Sequence, residues 1–332
     1  MKRLFLSIVA TIMAATATYS QSSMLATLSH EGDITTYYGA TALREAHSAA
    51  ADGDVITLSS GSFLSVDITK AVTIHGAGME VNKELLIEPT VITGDFSINI
   101  PEESTGRLTI EGIYSNHTIT YKGTLTNATF IKDRLNKITY PGSGTGELKN
   151  ATFIHCRISS QFYLGDNSSA SCVNCVIWRP DCHNGTSSNF DFQNCVIFRD
   201  IADAIKSSSY KNCVLLFPSS SILSNCATYY CIGIGNSGMF NNIPNTTNSL
   251  KKYAEVFKTL TGTTYNDSET FELTDEASTT LLGIDGTQVG IYGGNMPFDS
   301  TPSNPQITKC NVAAKSTADG KLSVDITVNG AE

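Results

Sequence analysis

Short apolar stretches alternate with polar ones along most of this chain, punctuated by Asn, Gly and Ser. One motif, Asn-small-x-apolar-apolar, recurs as Asn127-Ala-Thr-Phe-Ile131, Asn150-Ala-Thr-Phe-Ile154, Asn174-Cys-Val-Ile-Trp178, Asn194-Cys-Val-Ile-Phe198 and Asn212-Cys-Val-Leu-Leu216, with a degenerate copy at Asn225-Cys226. Successive copies are 23, 24, 20, 18 and 13 residues apart. Apart from the last, these spacings suit one coil of a β solenoid, and they are too short for helical repeats of roughly 33 to 47 residues. Each copy predicts one strand stacked on the next.

Side chains alternate along a strand, so the first and third residues after each Asn share a face. Two columns result: Ala128, Ala151, Cys175, Cys195, Cys213, and Phe130, Phe153, Ile177, Ile197, Leu215. Both are apolar and are expected to line the interior, with the turn asparagines forming a ladder at about 4.8 Å per coil. On the outer face the same alternation predicts an apolar stripe of Ile131, Ile154, Trp178, Phe198 and Leu216, flanked by Thr129, Thr152, Val176, Val196 and Val214. A patch of that size has to be covered or has to bind something. The stretch Leu250 to Leu260 has helix-period apolar positions and is expected to lie across it. The alternative is an aromatic platform for a sugar ring at Trp178 and Phe198.

Lys2 and Arg3, the apolar run Leu4 to Ala14 and the small residues Ala15 to Ser20 read as a secretory signal, with the mature chain starting near Thr18 or Gln21. The protein is expected outside the cytoplasm, whether secreted, periplasmic or at the cell surface. No later run is apolar enough for a membrane span. A formal charge of −9 and scattered Lys and Arg exclude a nucleic-acid surface. With 41% hydrophobic residues and 26 Gly, the composition fits an extended β protein.

Nine cysteines in an exported chain invite disulfides. Yet Cys175, Cys195, Cys213 and, by extension, Cys226 follow the repeat and replace its Ala, which points to thiols serving as small buried hydrophobes. Cys172/Cys182 and Cys226/Cys231 are the pairs left open to bridging. The single CxxC, Cys172-Val-Asn-Cys175, has no partner motif, so no zinc site is expected. Asn116-His-Thr, Asn127-Ala-Thr, Asn150-Ala-Thr and Asn184-Gly-Thr match the N-glycosylation pattern. Asn127 and Asn150 are expected to be buried ladder positions instead.

Ala42-Leu43-Arg44-Glu45-Ala46, Gly53-Asp54-Val55-Ile56-Thr57-Leu58, Gly61-Ser62-Phe63 and Val72-Thr73-Ile74-His75-Gly76 together resemble the opening of right-handed parallel β-helix proteins of the pectate-lyase-like superfamily. The resemblance spans roughly residues 34 to 235 and implies a short helix plugging the first coil. Thr41 would N-cap that helix, with Leu43, Ala46 and Ala50 on one face and Gly53 ending it. The expected fold is all-β: a single-stranded right-handed parallel β-helix solenoid of about eight coils, with an N-terminal helical cap and a C-terminal extension of a helix plus a β-hairpin. The divisions are 1–20 signal peptide, 21–53 cap, 54–235 β-helix, 236–305 covering segment and 306–332 hairpin tail, with a turn at Asp319-Gly320.

Polar residues follow the same strands at similar offsets: Lys132-Asp133, His155 with Arg157, Arg179 with Asp181 and His183, and Arg199-Asp200. They are expected to form one mixed column near a turn. Lys132, His155 and Arg157, with Trp178 and Phe198, are the ligand-binding candidates. Arg179, Asp181, His183, Arg199 and Asp200 are the catalytic candidates. A lyase of the resembled superfamily needs a Lys, Arg or His base and a cation to neutralise a uronate; a hydrolase needs two carboxylates, which Asp133, Asp181 and Asp200 would supply. The bland reading is an ion-pair ladder along a solvated turn. Residues 148 to 235 hold only Asp166, Asp181, Asp191, Asp200 and Asp203 as acids, without an adjacent pair, so no calcium cluster or other cofactor site is expected. The chain reads as a monomer that engages an extracellular polysaccharide or surface component. The competing reading is a polysaccharide lyase or glycoside hydrolase, and a third is a structural spacer.

Overall fold

The computed structural model describes residues 24–85, 87–142, 146–183, 188–198, 207–217, 223, 225–243, 247–262, 264–312, 319–321 and 323–329. The signal-like segment, Arg199, Asp200 and Asn184 lie outside them. The chain winds into a right-handed parallel β-solenoid of about nine turns. One sheet of 11 strands runs from an antiparallel hairpin, Leu25–His30 and Asp33–Tyr38, through Val55–Leu58 to Ala227–Tyr229. A second, of 13 strands, runs from Gly61–Leu64 to Ser249–Lys251, so the solenoid continues past residue 235. Off its main path, Phe96–Ile98, Phe162–Leu164 and Pro180–Cys182 form a third face with the ends of Ile113–Tyr121 and Arg134–Thr139.

The interior stacks like on like. Ile56, Ile74, Ile110, Phe130, Phe153, Cys172, Phe192 and Tyr210 form one in-register column. Phe130 and Phe153 are parallel with ring centroids 4.6 Å apart.

The repeat motif turns out to combine two different corners. The strands after Asn127 and Asn150 belong to the first sheet, whereas those after Asn174, Asn194 and Asn212 belong to the second. Both corners need a residue in the left-handed region, which Asn tolerates best. At the corner leading into the second sheet the residues are Lys132, His155, Asn174, Asn194, Asn212 and Tyr230, all with φ between 51° and 56°. The expected Ala–Cys column is therefore corrected. After that corner come Asp133, Cys156, Cys175, Cys195, Cys213 and Cys231. All six are buried, because the chain turns inward there. Cys195 N bonds to Cys213 Sγ at 3.4 Å, and Cys175 Sγ to the Phe153 carbonyl at 3.4 Å. Asn127 and Asn150, at the other corner, are exposed rather than buried. Neither proposed bridge forms, since Cys172 and Cys231 are free thiols.

Helix α1, Ala42–Ala49, lies against the first strands, and its Leu43 and Ala46, with Ala50, join the core. Thr41 does not cap it; its hydroxyl bonds instead to Glu45 Oε1 at 2.7 Å. The stabilising contact is at the other end, where Lys70 Nζ meets the carbonyls of His47 at 2.9 Å and Ser48 at 2.8 Å, as the helix dipole favours.

The outer stripe on the second sheet is covered by the chain itself, though not by one long helix. Leu250 sits in the strand Ser249–Lys251, and helix α2 is only Tyr253–Val256. Val256, Phe257, Leu260, Phe271, Leu273, Ala277 of helix α3 (Asp275–Thr280), Val289 and Ile291 then pack on Val176, Val196, Phe198, Val214, Leu216, Ile232 and Ile234. This makes a second apolar core outside the solenoid. Gln306–Val312 and Val324–Asn329 pair as an antiparallel hairpin with Gly320 at φ 78° in its turn.

The thiol column carries a direct test. In native protein, iodoacetamide should leave Cys156, Cys175, Cys195, Cys213 and Cys231 unlabelled; in denaturant, without reductant, all five should label in a peptide mass map. Labelling that needs prior reduction would mean a disulfide within the column.

Candidate functional site

From Gly283 to Asn304 the chain runs back along the left-handed corner as a strap, meeting successive coils. Asn212 Oδ1 accepts Ile284 N at 3.0 Å. Asn174 Nδ2 donates to the carbonyls of Ile291 at 2.7 Å and Gly293 at 2.8 Å. His155 Nε2 lies 3.0 Å from the Met296 carbonyl, and Lys132 Nζ pairs with Asp299 at 2.9 Å. Glu111 Oε1 accepts Ser303 N at 2.8 Å, and Asn304 Nδ2 reaches the Gly76 carbonyl at 2.9 Å. Gly294 sits at φ 78°, where any other side chain is strained, and a Cβ there would also displace the Asn194 amide.

Three ligand-binding candidates, Lys132, His155 and Arg157, are thus footings for the C-terminal segment. Arg157 is 6% exposed. Its guanidinium donates to the carbonyls of Asp267 at 3.2 Å and Glu269 at 3.1 Å and lies 5.1 Å from the Phe298 ring centroid. A buried guanidinium needs such acceptors, and the covering loop supplies them. Phe198 is wholly buried in the second core, and Trp178 is half-buried with its ring 5.3 Å from Phe198 and 6.0 Å from Tyr265. The expected sugar platform is corrected accordingly: the covering segment occupies it.

The catalytic candidates stand elsewhere. Arg179, Asp181 and His183 lie on the third face, where Arg179 pairs with Asp181 at 3.1 Å and Gln161 reaches the same carboxylate at 3.3 Å. His183 meets Asp166 at 3.2 Å, and the Tyr140 ring stands edge-on to His183 at 5.6 Å. The single mixed column expected from equal offsets does not exist. Five residues after Asn127 or Asn150 the chain has just reached the second corner, whereas five after Asn174 it has already left it. Asp133, one of the expected hydrolase carboxylates, is fully buried with Oδ1 accepting Ile113 N at 2.9 Å. Burial pushes its carboxyl well above the usual range.

What the strap and cover build is a groove of about 540 Å3 above Arg157. Tyr292 and Phe298 line it, with Glu80 and Lys83 from the 80–84 loop and Asp267, Glu269 and Asp299 from the cover. Of these, sequence reasoning singled out only Arg157, because the others come from aperiodic loops. Three of its four acids are already engaged: Asp267 with Arg134, Glu269 with the Thr259 hydroxyl, Asp299 with Lys132. Burial alone would raise the Asp299 carboxyl, but bonds from Lys132 and Thr301 outweigh it and hold it below the usual range. A general acid requires the opposite shift. Among the described residues no cluster of three or more His, Cys, Asp or Glu is placed to hold a metal, and no helix is long and apolar enough to cross a membrane.

The strap's far end gives a pH prediction. Burial would raise Glu111, but the His75 ring nitrogen 3.0 Å away and the hydrogen bond from Ser303 N outweigh it and hold the carboxyl at about 2, below the ordinary 4.5. A depressed folded pKa means the stabilisation is present above 4.5 and lost as pH falls toward 2. Glu111→Gln should cost about 1–3 kcal/mol in urea unfolding at pH 7 and flatten the stability profile across that window. An unchanged profile would mean that Glu111 does not anchor the strap.

Compared with known proteins, the chain matches no family model, no curated protein and no solved structure.

Proposed function

We propose that this is an exported, non-catalytic β-solenoid that binds an extracellular glycan in the groove above Arg157. The observation that carries the reading is the groove's composition. The rings of Tyr292 and Phe298 stand at 86° to each other, 6.3 Å apart, beside a ring of carboxylates and the guanidinium of Arg157. Aromatic faces take the apolar side of a sugar and the charged rim takes its hydroxyls. The volume lies within the ~300–1,000 Å3 usual for small-ligand sites. Export rests on the basic, apolar and small-residue order of the first 20 residues. Membership of the pectate-lyase-like superfamily is part of the same proposal, resting on the N-terminal motifs and the solenoid they lead into.

Binding without turnover is preferred because three of the four acids in the groove, Asp267, Glu269 and Asp299, already hold structural partners. The second reading, a polysaccharide lyase or hydrolase, is favoured only by the His183–Asp166 pair beside Tyr140 on the third face.

A panel of neutral oligosaccharides titrated by calorimetry should yield a binder whose affinity falls at least tenfold, about 1.4 kcal/mol, in Tyr292→Ala. Tyr292→Phe, which keeps the ring, should bind nearly as well, and Arg179→Ala and His183→Ala should not matter. Product release abolished by His183→Ala would instead establish the enzyme. A panel without any binder would sink the glycan reading at this groove.

A further inference from the structure

A cleft of about 590 Å3 lies away from the strap, where the 100–106 loop faces the strand Gly123–Thr126. That loop is pressed onto the first coils: a Cβ on Gly106 would meet the Ala71 carbonyl oxygen at 2.7 Å, and Ser104 N bonds to the Pro101 carbonyl at 3.0 Å. The cleft is thereby shaped by a tightly turned backbone. Its lining is mainly polar. Thr105, Thr124, Thr126 and Asn127 present hydroxyl and amide groups, while Arg107 and Glu102 bring its two charges.

Arg107 distinguishes the cleft. Arg44, Arg134, Arg157 and Arg179 are each bonded to a carboxylate or carbonyl oxygen. Arg107, exposed at the cleft wall, is the one described arginine with no such bond. A guanidinium presents a planar fork that matches two oxygens of one anionic group. Among hydroxyls, the complementary ligand is hydroxyl-rich and carries a single acidic group. Glu102 disfavours a dense polyanion, as does the overall charge of −9, but accepts bonds from sugar hydroxyls.

We propose that this cleft binds a sugar bearing one acidic group, a carboxylate or a sulfate ester, with Arg107 taking the anion and Thr124, Thr126 and Asn127 the hydroxyls. It shares no lining residue with the groove above Arg157, so the two sites stand or fall separately.

The test uses the full chain and three probes: an otherwise neutral hexasaccharide carrying one glucuronate, the same oligosaccharide with that carboxyl reduced to an alcohol, and a singly sulfated neutral hexasaccharide. At least one acidic probe should bind, with the carboxylate and sulfate arms telling the two anions apart, and the reduced probe should bind at least tenfold more weakly than a binding carboxylate. Arg107→Gln should weaken the acidic probe tenfold or more and Arg107→Lys less, while Tyr292→Ala leaves it unchanged. Because Arg107 is exposed, its variants should melt with the parent, which separates lost binding from lost folding. Absence of binding by both acidic probes, equal binding by Arg107→Gln, or loss of the acidic probe in Tyr292→Ala would overturn the proposal.

Discussion

Six successive coils of this protein turn inward at one left-handed residue followed by a short buried side chain. That single corner sets the registers of both neighbouring sheets, since the residue before it ends a strand of the first and the second residue after it begins a strand of the second. Asn174, Asn194 and Asn212 meet the backbone requirement cheaply. Lys132, His155 and Tyr230 meet it at a conformational cost of about 1–2 kcal/mol each, which the stacked neighbours must offset. The thiols of Cys156 to Cys231 occupy the buried position directly after that corner.

The corner is also where the molecule closes itself. The parallel sheet leaves a run of Val, Leu and Phe side chains facing outward, and the 253–291 segment buries them as a second core. The strap then ties that cover down, sharing hydrogen bonds or an ion pair with Asn212, Asn174, His155, Lys132 and Glu111 in descending order along the solenoid. Side chains that resemble a catalytic row are there because the backbone groups of an irregular segment must be satisfied when they are laid against a protein surface. The groove above Arg157 exists only because this cover is in place.

The solenoid was legible because its period is strong: the Phe130/Phe153 stack and the Cys175, Cys195, Cys213 succession can be read from the residues alone. The coil register was not. Both corners favour Asn, so copies from different sheets looked equivalent, and the true corner is masked where Lys132 and His155 replace Asn. The apolar stripe correctly announced a cover, but the strap carries no periodicity and docks largely through its own carbonyls, which composition does not encode. For the same reason Tyr292, Phe298, Lys83 and Glu80 gave no signal, and Arg107 looked like an ordinary surface charge. Thr41 failed as a cap because its hydroxyl had a better acceptor in Glu45.

That the chain covers its own outer stripe is the claim on which the location of any binding site depends, and the single tryptophan, Trp178, sits at the edge of that cover beside Tyr265. Iodide quenching of its fluorescence, in folded and in urea-unfolded protein, measures the cover most directly. Quenching several-fold weaker in the folded state, with blue-shifted emission that is lost in the same transition as the solenoid, is the predicted result. Quenching as strong as in the unfolded chain would mean that the stripe is open, and that the cover, the groove and the binding reading built on them are wrong.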